Sequence, residues 1–222
     1  MTHRPPAGAL PPPTATIRTE VLVPLSFGDG FETSARVLSF DGLVDGREHL
    51  AVGLGDRAGR LAPVERCDRP ALVRLHSECL TGDVFGSQRC DCGPQLREAA
   101  ELIAEAGGYL LYLRQEGRGI GLYSKLDAYG LQDVGLDTYE ANVALGFSAD
   151  GRDYTVAAQM LSALGIASLA LLTNNPDKAA QLAGLGIEVT EMVPTGVHVN
   201  ASNARYLATK AARGAHTFRR WA

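Results

Sequence analysis

Three thiols crowd one short stretch of the chain. In CLTGDVFGSQRCDC, ten residues separate Cys79 from Cys90, and only Asp91 separates Cys90 from Cys92. Clustered cysteines in a reducing compartment bind metal or do chemistry rather than form disulfides. Zinc is the simplest metal for a set of thiolates. Two arrangements are open. A closed structural site needs a fourth protein ligand, which Cys67 or His76 would supply. An open catalytic site uses Cys79, Cys90 and Cys92 alone and leaves a position for water. The Cys-x-Cys pair is tighter than the usual structural Cys-x-x-Cys, and the chain has no second pair. Three thiolates on Zn²⁺ leave a net charge of about −1, which acidifies water less well than three neutral imidazoles. An open site of this kind needs helpers, as in the Cys-rich zinc sites of nucleobase deaminases.

Three further segments hold candidate helpers. RQEGRGIGL (114–122) is a Gly-rich turn after an apolar run, and its Arg118 suits a phosphate or a base. It matches neither a Walker loop nor GxGxxG, and an ordinary strand-to-helix loop has the same composition. In LLTNNPDK (171–178), Thr173 and Lys178 flank the start of a helix and could meet a phosphate; N-capping and a solvated lysine are the plainer reading. ANVALGFSADGRDY (141–154) carries Asp150 and Arg152 in a polar turn, as a local ion pair or as a phosphoryl clamp with a proton acceptor. Tyr129 sits in an apolar helical stretch and by itself reads as core. Arg74 and His76 alternate along a strand and by themselves read as half-buried polar residues.

The elements that must position these residues follow from periodicity. Strands are expected at 34–40, 49–55, 71–76, 109–113, 168–173 and 187–193, and helices at 94–107, about 120–134, 153–165, 177–186 and 201–213. Strands alternating with helices give an α/β protein with a mixed sheet flanked by helices. The 222 residues, 45% of them hydrophobic, fit a single catalytic domain over 16–222 behind a disordered Pro-rich tail over 1–15. The net charge of −4 gives no basic footprint for nucleic acid. No apolar run is long enough to span a bilayer, and MTHRPPAGALPPPTA is not a signal peptide, so the expected location is the cytoplasm.

Taken together, RLHSECLTGDVFGSQRCDCGPQL, RQEGRGIGL, AYGLQD, DTYEAN, LGFSADGRDY and LLTNNPDK resemble the GTP cyclohydrolase II family, which opens the guanine ring at the start of riboflavin synthesis. The likeness is strong over residues 70–190 and continues to about 210. It implies that Cys79, Cys90 and Cys92 hold one catalytic Zn²⁺. It implies that Arg74, Leu75, His76, Ser77, Glu78 and Gln95 line the GTP site, and that Glu116, Gly117, Arg118 and Thr138 contact the nucleotide. Tyr129 matches a tyrosine near the activated water. Asp150 and Arg152 match a proton acceptor and a nucleophile, and Thr173 and Lys178 match contacts on the triphosphate side. The implied chemistry is addition of water to C8 of the imidazole ring, ring opening and release of formate. Pyrophosphate leaves from the α-phosphorus, with Mg²⁺ on the phosphates, to give a diaminopyrimidinone. Arginine, with a pKa above about 12, is a poor nucleophile, so Arg152 reads more naturally as an electrostatic clamp. A homodimer is expected from the family. The stretch PTGVHVNASNARYLATKAARGAHTF departs from many relatives and leaves open a homologue that stops at the formamide or serves a specialised pathway. A dihydroxybutanone phosphate synthase domain, found in bifunctional relatives, is not expected in the roughly 30 residues before the first strand. The competing readings are a zinc hydrolase acting on another purine nucleotide and a non-catalytic zinc-bearing nucleic-acid-binding protein.

Overall fold

The computed structural model describes residues 14–59, 69–148, 151–204 and 207. Cys67, Asp150, most of the expected last helix and the tail through residue 13 lie outside the described residues. Seven strands form one sheet in the order β1-β2-β3-β5-β4-β6-β7. They are β1 (Thr16–Ser26), β2 (Glu32–Asp41), β3 (Leu50–Leu54), β4 (Ala71–Ser77), β5 (Gly108–Leu113), β6 (Ser168–Leu172) and β7 (Glu188–Val193). Pairing is antiparallel from β1 through β3 to β5, and parallel from β5 through β4 and β6 to β7. The sheet is therefore mixed, as expected. One strand was not expected: β1 starts well ahead of residue 34. It is an edge strand, where Pro24 removes no needed ladder donor.

Helices cover both faces. The strands alternate their side chains, so each apolar strand feeds two cores. On one face Leu72, Leu110 and Leu172 meet Ala99, Ala100 and Ile103 of α2 (Cys92–Ala106). On the other, Val73, Leu75, Leu111 and Leu171 meet Val156, Ala157, Met160 and Leu161 of α5 (Thr155–Ala163). The small residues of α2 let it lie close to the sheet. Helix α1 (Leu80–Asp83) precedes α2, α3 (Leu122–Asp133) and α4 (Thr138–Ala144) come between β5 and α5, and α6 (Pro176–Gly184) follows β6. No helix among the described residues is long and apolar enough to cross a membrane.

The parallel strands add outward in opposite directions from β4, with β5 on one side and β6 on the other. Crevices at the carboxyl ends of strands flanking such a reversal are where open α/β sheets bind ligands. The thiols, the RQEGRG turn and the TNNPDK turn all follow the carboxyl ends of β4, β5 and β6.

Helix α4 was not anticipated as a separate element, although its start is written locally. Asp137 accepts from the backbone of Tyr139 and Glu140, and Glu140 accepts from the Asp137 N–H, a complete capping box. Asp137→Ala is expected to lower stability by about 1 kcal/mol. Urea denaturation would measure it, and an unchanged midpoint would mean that tertiary contacts alone hold α4.

Candidate active site

Cys79 caps the N-terminus of α1, Cys90 lies in the following turn, and Cys92 opens α2. The helix starts two residues earlier than the periodicity suggested, which fixes Cys92 on its first turn. The three sulfurs lie within 4.8 Å of one another, and the Cys79 and Cys90 sulfurs are 3.6 Å apart. Tetrahedral zinc with Zn–S bonds of about 2.3 Å separates its sulfurs by about 3.8 Å, so the thiol set fits such an ion. His76 is not part of the cluster; its Nε2 lies 3.1 Å from both carboxylate oxygens of Asp83. The four-ligand arrangement through His76 is thereby corrected, and Cys67 lies outside the described residues.

The thiols depress and raise one another's acidity. Hydrogen bonds from Cys90 and Cys92, with the Lys125 ammonium adding to them against burial, bring the Cys79 thiol far below its ordinary range. Donating to that thiolate pushes Cys90 up to about 11, and drives Cys92 well above its usual value. A metal ion binds thiolates, so its binding to this cluster displaces protons.

A shell of buried polar groups supports the cluster. Asp83 accepts from the Cys79 backbone N–H at 3.0 Å and from the Tyr112 hydroxyl at 2.9 Å, beside its contact with His76. Burial lowers the His76 pKa, so the ring is neutral near pH 7 and donates Nε2–H to Asp83; Nδ1 is buried with no protein partner among the described residues. Arg74 donates to the Leu172 carbonyl and to Gln95 Oε1, and Gln95 in turn donates to Asp91, between Cys90 and Cys92. Glu116 accepts from the backbone of Leu80 and Gly117 and from Lys125. Tyr129 approaches Thr81 Oγ1 at 3.5 Å, with the Arg89 guanidinium 4.3 Å from its ring centre. Burial raises its pKa, so the phenol stays protonated and can donate.

Lys178 and Arg118 add positive charge to the site. Lys178 is buried and donates to the Leu75 carbonyl at the end of β4; it is not the solvated lysine of the plainer sequence reading. Arg118 adopts a left-handed backbone with φ of 63°, next to Gly117 at 61°. A bulky residue held there stores strain, which clusters at functional sites. Its guanidinium stacks on Tyr139 at 4.2 Å, and Nη1 is buried without a protein partner among the described residues. Its carbonyl accepts from Gly151, tying this turn to the segment that carries Arg152.

These groups line one open cleft enclosing about 1150 Å³, mouth included. Every candidate named from the sequence that falls among the described residues lines it: Arg74 to Glu78, Cys79, Cys90 and Cys92, Gln95 and Tyr129, and Glu116, Gly117, Arg118 and Thr138. Arg152, Thr173 and Lys178 also line it, with Lys178 bonded to the Leu75 carbonyl of the Arg74–Glu78 segment. Asp150 lies outside the described residues. Lys125, Arg89 and Asn174 also line the cleft and were not anticipated. A signal for Lys125 was present, because Lys125, Ala128, Tyr129 and Gln132 repeat at helical spacing and all face the cleft.

Comparison with known proteins agrees with this architecture. The sequence profile of GTP cyclohydrolase II matches residues 18–194. A GTP cyclohydrolase-2 from Vibrio parahaemolyticus is 52% identical over 185 residues, covering 83% of this chain and 90% of the relative. One from Psychromonas ingrahamii is 49% identical over 203 residues, covering 91% and 97%. The riboflavin biosynthesis protein RibBA of Bacillus mycoides is 50% identical over 202 residues, which are 90% of this chain and 48% of that longer protein.

Proposed function

Because this chain belongs to the GTP cyclohydrolase II family, we propose that it hydrolyses GTP, releasing formate and pyrophosphate to give 2,5-diamino-6-(5-phosphoribosylamino)pyrimidin-4(3H)-one for riboflavin synthesis. The observation that carries the reading is the trio of Cys79, Cys90 and Cys92 sulfurs on the wall of a nucleotide-sized cleft. These thiols would hold Zn²⁺, which as a Lewis acid supplies an activated water for attack on C8 of the base.

The rest of the chemistry falls to the protein's own groups. Tyr129, protonated and close to Thr81, donates a hydrogen bond or a proton at the ring-opening end. The neutral His76 braces Asp83, which in turn holds the Cys79 backbone N–H. Arg118, with its unpaired buried Nη1, and Lys178 and Thr173 at the start of α6 suit the triphosphate, brought in with Mg²⁺. Asp150 would accept a proton. Arg152 clamps the α-phosphate as pyrophosphate leaves. The enzyme would work as a cytoplasmic homodimer.

The test is one incubation with GTP and Mg²⁺ on zinc-loaded and chelated protein, following formate, pyrophosphate and product mass. Formate and the diaminopyrimidinone are expected from the zinc-loaded sample alone, with pyrophosphate released alongside them. Neither product from folded, zinc-loaded protein would remove GTP as the substrate. Arg152→Lys separates the clamp from a nucleophile. Lysine keeps the positive charge, so a clamp predicts retained pyrophosphate release without a covalent nucleotide adduct by intact mass. Loss of release by more than about a thousandfold would favour the nucleophile.

A further inference from the structure

Lys125 is a buried charge for which the proposed chemistry assigns no role. Its ammonium lies 3.0 Å from Cys79 Sγ, 3.1 Å from Thr81 Oγ1 and 2.8 Å from Glu116 Oε1. Three acceptors match its three donors, and the residue is 9% exposed. Burying an ammonium is costly unless it is paired, and here the pairing reaches a sulfur of the thiol cluster. Glu116 neutralises this lysine from one side and accepts from Leu80, the residue after Cys79, on the other. The ammonium is thus held on the Cys79 sulfur by a carboxylate that also fixes the backbone of the next residue, Leu80.

Three thiolates give a dipositive ion more negative charge than it needs. A cation hydrogen-bonded to one sulfur withdraws density from that ligand, and in a buried site this is felt strongly. Resting on the zinc reading above, we infer that Lys125 is a positioning residue. It sets the orientation and donor strength of Cys79, and through it the electrophilic power of the metal centre. It does not touch the substrate in this role.

The probe is cobalt(II), whose charge-transfer absorption from thiolate reports directly on the sulfur. A hydrogen bond from an ammonium lowers the energy of the sulfur lone pair, so its removal moves this band to longer wavelength. Lys125→Met, reconstituted with Co²⁺, is expected to keep one ion per chain and show a red-shifted band. With zinc, its formate release should fall roughly 10–100-fold, as for other groups acting on a metal ligand. Lys125→Arg should restore most of both. Lys125→Met leaves Glu116 buried and unpaired, so the Lys125→Met/Glu116→Gln pair serves for the cobalt spectrum if the single variant unfolds. A band and a formate rate both equal to those of the parent overturn the inference, as does a normal spectrum in the double variant. Failure of the parent protein itself to release formate with zinc would instead overturn the GTP reading, so the two failures are distinct.

Discussion

Cys79→Ser is expected to lose bound metal and formate release together. Its sulfur is the node of the cluster, 3.6 Å from Cys90 Sγ and 3.0 Å from Lys125 Nζ. A serine hydroxyl is shorter, harder and far less acidic, so it neither reaches the same point nor ionises there. Two thiols alone hold the ion poorly, and without it water at neutral pH is a feeble nucleophile. Formate release should drop by about three orders of magnitude or more. The backbone N–H of residue 79 still bonds Asp83, so the fold should survive by circular dichroism. The phosphate wall is built by other elements, so pyrophosphate release should persist in part. Metal analysis after dialysis and a formate assay decide it. Normal formate production from metal-free Cys79→Ser would end the zinc mechanism. Cys67→Ser is the control, because a three-ligand site requires no fourth thiol and predicts full metal content.

Much of this site is readable from sequence because its parts are local. The cysteine spacing, the Gly-rich turn after β5 and the Asn-Pro turn after β6 each mark a strand end, and α/β topology brings those ends together. The central strands were legible because both faces are buried and the runs are continuously apolar. Strand β1 was not, since an edge strand with Glu20 and Pro24 and with Val21 and Leu22 half to mostly exposed has no clean alternation. Position in space was also hidden where tertiary structure overrides composition. Lys178 reads as a surface lysine, yet α6 carries it over the end of β4, where the Leu75 carbonyl needs a donor. The left-handed backbone of Arg118 has no local signal beyond its glycine neighbours; it is imposed by the contact with Gly151 and the stack on Tyr139.

Gly93→Ala is expected to weaken metal binding although it replaces glycine by the best helix former. A Cβ at Gly93 would stand 2.5 Å from the Gly82 carbonyl oxygen, and one at Gly82 would stand 2.8 Å from Cys90 Sγ and 3.1 Å from Cys79 Sγ. The start of α2 and helix α1 therefore meet backbone to backbone, and that contact sets how near Cys79 comes to Cys90 and Cys92. A carbonyl cannot rotate aside as a long side chain can, so the two elements must move apart. Helix propensity alone favours alanine by about 1 kcal/mol. Overpacking costs about 1–3 kcal/mol, which cancels or outweighs that gain. The melting temperature should thus change little or fall, while the displaced cluster loses about 10–100-fold in affinity for zinc, judged by chelator competition. Formate release at limiting zinc should fall in proportion. Gly130→Ala in α3 is the contrast: apart from its chain neighbours and its own helix backbone, no atom lies within 4 Å of the new methyl, so propensity acts alone and stability should rise by about 1 kcal/mol. If Gly93→Ala behaved like Gly130→Ala, more stable and with unchanged zinc affinity, the close packing of α1 on α2 would not be what holds the three thiols together.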